Sequence, residues 1–199
     1  NERKNKKPEA EEDEFKSDFR NKEKRGDALY NIATHLMAKY SVKTIKGRKI
    51  REVLVYRNGI YKSGEDVLKK SIRDILEELC TTHYIKEIVE SIKDRSTVER
   101  DVFDVNVNFI NLNNGVFDIK TGKLGGHDSK YPFLNKIPVN YSRGARCPKI
   151  KKFLSQTLDA DDLSVIQEWF GYALYRVYFV KKAIIFVGEG DTGKTTQLR

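Results

Sequence analysis

The chain has 199 residues, with 38 Lys and Arg against 29 Asp and Glu, three His and two Cys, for a formal charge of +9. That length is enough to bury a real core, and the basic balance favours a polyanionic partner, nucleic acid above all. No apolar run approaches the 18 or more residues of a membrane span, no signal peptide is visible, and Cys80 and Cys147 sit far apart outside any CxxC pattern. These features predict an intracellular, cytoplasmic protein in a reducing compartment, and the scattered His35, His83 and His127 argue against a metal site.

Residues 1–25 are dense in Lys, Arg, Glu and Asp, with Phe15 and Phe19 almost alone among apolar side chains. Such a stretch reads as a charged linker or a loosely held helix. Leu29, Ile32, Ala33, Leu36 and Met37 then recur at helical spacing behind Asp27, which predicts an amphipathic helix over 27–40 capped by that aspartate. Val42 to Ile45, a Lys46-Gly47-Arg48 turn, and Val53 to Tyr56 closed by Asn58-Gly59 before Ile60-Tyr61 predict strands joined by a hairpin. Ser63, with Asp66 three residues on, resembles a capping box. It opens a helix through Val67, Leu68, Ile72, Ile75, Leu76 and Leu79, and a second helix follows from about Thr82.

From about Arg100 to Tyr141 the pattern changes to short apolar runs broken by Asn114-Gly115, Lys120-Thr121-Gly122, Pro132 and Pro138, the signature of short strands and tight turns. Cys147-Pro148 begins a helix through Ile150, Phe153, Leu154 and Leu158, with Pro148 where its missing N–H costs nothing. Asp161 or Asp162 is expected to cap a further helix carrying Leu163, Ile166, Phe170, Ala173, Leu174 and Val177. Gly171 interrupts that helix, which predicts close packing there, and Trp169, Phe170 and Tyr172 are expected in a core rather than stacked on bases. Asp159, Asp161 and Asp162 lack the spacing of a calcium loop and read as capping residues, while Arg143, Arg146, Lys149, Lys151 and Lys152 read as a solvated helix face.

The chain closes on Ala183-Ile184-Ile185-Phe186-Val187, a buried-strand run, followed by Gly188-Glu189-Gly190-Asp191-Thr192-Gly193-Lys194-Thr195-Thr196. The spacing is that of a phosphate-binding loop. Glycines at 188 and 193 allow the turn and the close approach of phosphates. Backbone N–H groups from Glu189 to Lys194 cradle them, Lys194 reaches the β/γ oxygens as the catalytic cation, and the Thr195 hydroxyl joins the Mg2+ shell. ATP and Mg2+ are therefore the expected cofactors. Because the chain starts at Asn1 and stops at Arg199, the expectation is a piece of a longer protein whose remaining ATPase residues lie elsewhere, so that the chain alone is not expected to turn over ATP.

Several segments resemble the region ahead of the helicase core in phage and plasmid primase-helicases, with poxviral relatives. They are Phe109 to Asp118, Lys120-Thr121-Gly122, His127-Asp128, Ile137 to Tyr141, Phe153-Leu154 and Trp169 to Leu174. The resemblance implies a superfamily 3 helicase of the AAA+ type, assembled as a hexamer around single-stranded DNA, with a primase domain upstream. It departs from many relatives in having Thr192 before the last loop glycine and Thr195 after Lys194, and Thr195 keeps the hydroxyl that Mg2+ needs. The expected fold is α+β, with mixed helices and short antiparallel strands leading into the first strand and P-loop of an α/β AAA+ core. Expected divisions are a tail at 1–25, a pre-helicase domain at 26–145, a helical lead-in at 146–180 and the start of the ATPase at 181–199. The expected function is that of part of an ATP-dependent replicative DNA helicase of a phage, plasmid or other mobile element. The alternatives are a DNA-binding or oligomerisation module with an inert loop, and another P-loop enzyme such as a kinase.

Overall fold

The structure, a computed structural model, describes residues 8–47, 50–176, 179–189 and 193. They form mixed α and β structure in two compact units, the first made of residues 1–105 and 127–136, the second of 106–126 and 137–199.

In the first unit, helices α1 (Pro8–Arg20), α2 (Arg25–Tyr40), α3 (Glu65–Leu76) and α4 (Thr82–Ser96) accompany strands β1 (Lys43–Lys46), β2 (Arg51–Arg57), β3 (Ile60–Ser63) and β4 (Thr97–Val98), ordered β3-β2-β1-β4 in one sheet. The turn between β2 and β3 follows from its sequence. Asn58 and Gly59 both take positive φ, 50° and 83°, which matches the primed turns whose twist suits a two-residue hairpin, and Arg57 pairs with Ile60. Alternation along β2 then separates two packed faces. Val53 and Val55 join Ile32, Leu36, Leu68, Ile72, Ile75, Leu76, Ile88 and Ile92 beneath the helices, while Leu54 faces the other way with Ile45, Tyr61 and Phe103. β4 adds a parallel pairing to β1, and at that junction the buried Thr44 and Ser96 hydroxyls bond each other at 2.8 Å.

Residues 127–136 cover the second face, which the sequence did not foreshadow. The Tyr61 N–H donates to the Phe133 carbonyl at 2.7 Å and the Tyr61 hydroxyl to the Ser129 carbonyl at 3.0 Å. The Asp104 N–H donates to the Pro132 carbonyl at 3.0 Å. Burial under this strap pushes the Tyr61 hydroxyl up to about 12, with the neighbouring Tyr56 and Asp128 adding to the effect.

Three expectations in this unit are corrected. The stretch expected as a linker or loosely held helix is, over Pro8–Arg20, a helix whose Phe19 is 2% exposed, because Phe15 and Phe19 share a face that packs on the core. Helix α2 starts at Arg25, so Asp27 lies in its first turn rather than at the cap, still favourably placed at the positive end of the helix. Left-handed Ser41 closes that helix, with the Val42 N–H returning to the Met37 carbonyl at 3.2 Å. The Ser63–Asp66 capping box does not form: Ser63 is held in register with Leu54, and Gly64 takes the N-cap position of α3 without a side-chain bond. Thr81 caps α4 through the Tyr84 N–H.

The second unit holds a meander of β5 (Phe109–Leu112), β6 (Gly115–Asp118) and β7 (Lys123–Gly125), followed by α5 (Pro148–Thr157) and α6 (Ala160–Ala173). Gly115 needs to be glycine: its φ is +149°, and a Cβ there would overlap the Gly125 carbonyl oxygen. Asp118 makes the β6–β7 turn by accepting from the Lys120 N–H at 2.9 Å and the Thr121 hydroxyl at 2.8 Å. The Thr121 bond first, with the turn's N–H groups, holds its carboxyl below the usual range. Ile137 bridges to Leu112, and the Asn114 side chain brackets Tyr141 with two 2.9 Å bonds. Pro148 opens α5 as expected. Asp159, rather than Asp161 or Asp162, caps α6, accepting from the Asp162 N–H at 2.8 Å; the other two stand in the first turn. Among the described residues no helix is long and apolar enough to cross a membrane.

Candidate phosphate-binding loop

Helix α6 leads into the loop segment. Its last turn carries Tyr172, whose hydroxyl accepts from the Val180 N–H and donates to the Val180 carbonyl, both at 3.3 Å. The Phe179 ring stands edge-on to Tyr172 at 5.1 Å and to Tyr175 at 6.1 Å. This aromatic clasp folds residues 179–180 back on the end of α6 and sets where the following segment departs.

That segment corrects an expectation. Ala183 to Val187 were expected as a buried strand, yet among the described residues they have no ladder partner, and Ile185 and Val187 are 81% and 90% exposed. A β-rich apolar sequence becomes a strand only when a neighbour takes up its N–H and C=O groups, and no described segment does so here. The same holds for the apolar stripe of α6. Of its residues only Ile166 is buried, while Val165, Phe170 and Leu174 are exposed. Among the described residues no atom lies within 4 Å of where a Gly171 Cβ would be, so none of them supplies the expected close packing at that position.

Of the predicted loop residues, Gly188 and Glu189 are exposed. Gly193 has φ +81°, and a Cβ on it would lie 2.9 Å from the Phe153 ring and 3.6 Å from the Thr157 methyl group of α5. Glycine meets both demands, left-handed backbone and close approach to α5. Gly190, Asp191, Thr192, Lys194, Thr195 and Thr196 lie outside the described residues. Sequence reasoning missed the abutment of Gly193 on α5, because contacts between segments some forty residues apart leave no periodic signal.

The basic residues Arg143, Arg146, Lys149, Lys151 and Lys152 are all exposed. Trp169 is half-buried against Phe170 at 5.6 Å. Cys80 is half-buried and Cys147 exposed, both as free thiols, and burial raises the Cys80 pKa. Among the described residues no three His, Cys, Asp or Glu side chains are grouped to hold a metal ion.

A family model described as D5 N terminal like matches residues 2–159, most of the chain. The chain belongs to the D5 N terminal like family. This is the N-terminal region of phage and viral primase-helicase proteins, so a replication-related role holds at family level. The match ends at Asp159, the N-cap ahead of α6, so the D5 N terminal like assignment rests on the residues before that helix and not on the loop glycines. No curated protein matches the chain.

Proposed function

We propose that this D5 N terminal like chain belongs to an ATP-dependent replicative DNA helicase of a phage, plasmid or other mobile element, acting in the cytoplasm of the host cell. Residues 181–199 would form the first strand and P-loop of a superfamily 3 AAA+ ATPase, with Ala183 to Val187 paired by strands from the rest of that ATPase, and the residues before them a scaffold that couples an upstream primase to the motor. The observation that carries the reading is the full loop pattern from Gly188 to Thr195 directly behind a family region of primase-helicase proteins. The left-handed Gly193 supports it.

In this reading the N–H groups from Glu189 to Lys194 hold the phosphates of ATP, with Gly190, Asp191 and Thr192 shaping the turn. Lys194 neutralises charge on the β/γ oxygens, Thr195 supplies a hydroxyl to Mg2+, and Thr196 continues the helix start. Six copies closing a ring around single-stranded DNA would complete each site. A second reading, a DNA-binding or oligomerisation module with an inert loop, draws on the unpaired, exposed Ile185 and Val187.

DNA-stimulated ATP turnover in the full-length polypeptide, compared with its Lys194→Ala form, separates the two. The motor reading expects a loss on the order of a hundredfold, the scale at which removing one charge-stabilising group is felt. Equal turnover in both forms removes it.

A further inference from the structure

The net charge of the chain is concentrated in one place. From Ile119 to Leu158 the sequence carries nine Lys and Arg but a single acidic residue, Asp128. Taking these from the chain totals of 38 and 29 leaves the rest within one charge of neutral. Several cations of the first unit meet carboxylates. Lys16 meets Glu77, Arg20 meets Glu78, Arg51 meets Glu90 and Asp94, and Lys93 meets Glu65 and Glu90. Arg143, Arg146, Lys149, Lys151 and Lys152 are treated differently: all are exposed, and among the described residues no carboxylate pairs with any of them.

Folding alone gives no reason for this arrangement. The three lysines fall in the first half of α5, whose first turn has no acidic residue, so they stand near the positive end of the helix, where cations are disfavoured. Lys149 and Lys152 are also like charges three residues apart, a mildly repulsive pair on one helix face. The segment is nevertheless held in place at both ends. Tyr141 is bracketed by Asn114 and stacks near Phe117 at 4.5 Å, and Leu154 is buried. A row of unmatched cations on a fixed backbone is suited to a polyanion that supplies the missing charge.

We propose that Arg143 to Lys152 is a docking surface for the phosphodiester backbone of nucleic acid, a role that does not depend on nucleotide in the phosphate-binding loop. Backbone charge is the recognised feature, since the exposed side chains are cations without the amides and aromatic platforms that read bases. A membrane surface fits less well. On α5 the outward apolar group is Ile150, Phe153 is half-buried and Leu154 points inward, which leaves no broad apolar face to enter lipid.

The test is fluorescence anisotropy with a labelled oligonucleotide of about 20 nucleotides, single-stranded and duplex, without ATP, from about 50 to about 200 mM salt. Five phosphate contacts predict a log–log salt slope near −3.5 on a single strand, at about 0.7 per contact. Replacing Lys149, Lys151 and Lys152 together by Gln should weaken binding at least about tenfold at the low-salt end and flatten the slope by about 2. Gln is a good helix former, and circular dichroism checks that α5 persists. Arg57→Gln with Lys62→Gln, two exposed cations on β2 and β3, is the control and should leave slope and affinity unchanged. The proposal is overturned by a triple variant that binds like the original, by an equal loss in the control, by no oligonucleotide binding, or by binding to anionic lipid vesicles in its place. Because ATP is absent, failure of the loop reading leaves this result intact.

Discussion

Replacing Phe19 by Ala tests whether α1 is an integral part of the first unit. Phe19 is 2% exposed, its ring stands edge-on to Tyr84 at 4.8 Å and 87°, and the Arg25 guanidinium lies 5.3 Å from its centroid. Truncating a buried Phe to Ala typically costs about 3–5 kcal/mol, of which an aromatic pair supplies about 0.5–1.5. The lower end applies here, because α1 joins the core chiefly through Phe15 and Phe19, which limits the loss to the docking energy of that helix. About 3 kcal/mol corresponds to a shift of the unfolding midpoint by about 1–3 M urea, with m of about 1–3 kcal/mol/M. The ion pairs Lys16–Glu77 and Arg20–Glu78 also join α1 to the residues after α3, but they are exposed and contribute little. Urea denaturation followed by circular dichroism should therefore show a large shift for Phe19→Ala and a small one for Glu77→Gln with Glu78→Gln. A Phe19→Ala midpoint within about 0.3 M of the original would refute the packed position of α1.

Gly171→Ala should stabilise the protein by about 0.5–1 kcal/mol, because the site is a helix interior with open space at the Cβ position, and the gain is read as a higher melting temperature. A fall in stability would show that something packs against that position. Tyr61 contributes to the loss of stability of the first unit at alkaline pH. Its folded pKa is raised to about 12 from 10.0, so above pH 10 the unfolded chain loses a proton that the native state keeps. Stability from this group is complete below about pH 10 and falls between 10 and 12 by on the order of 1–2 kcal/mol. Tyr61→Phe should show a flatter decline over that window in urea midpoints taken at several pH values, and parallel curves would contradict the assignment.

Much of the chain was legible because local rules and tertiary packing agree. The Asn58-Gly59 hairpin, the stripes of α2, α3 and α4, and the Pro148 start of α5 were all written in turn chemistry and period. Caps were harder to place. Asp27, Ser63 and Asp161 or Asp162 all had suitable side chains, but the position of a cap depends on where neighbouring backbone is already committed, as Ser63 is to Leu54. The loop glycines from Gly188 to Gly193 are legible in the sequence as a spacing pattern, whereas the contact of Gly193 with α5 is not.

The sequence by itself determined the helices from α2 to α5 and the Asn58-Gly59 hairpin, the concentration of positive charge between Ile119 and Leu158, and the spacing of the phosphate-loop residues, because each is a property of neighbours along the chain. Only the tertiary structure decided that Phe19 seals the helical core, that residues 127–136 return to cover Tyr61, and that Ala183 to Val187 stand without a strand partner. Burial and strand pairing are settled by what lies across from a residue in space, and a pattern of period two or 3.6 carries no record of that partner.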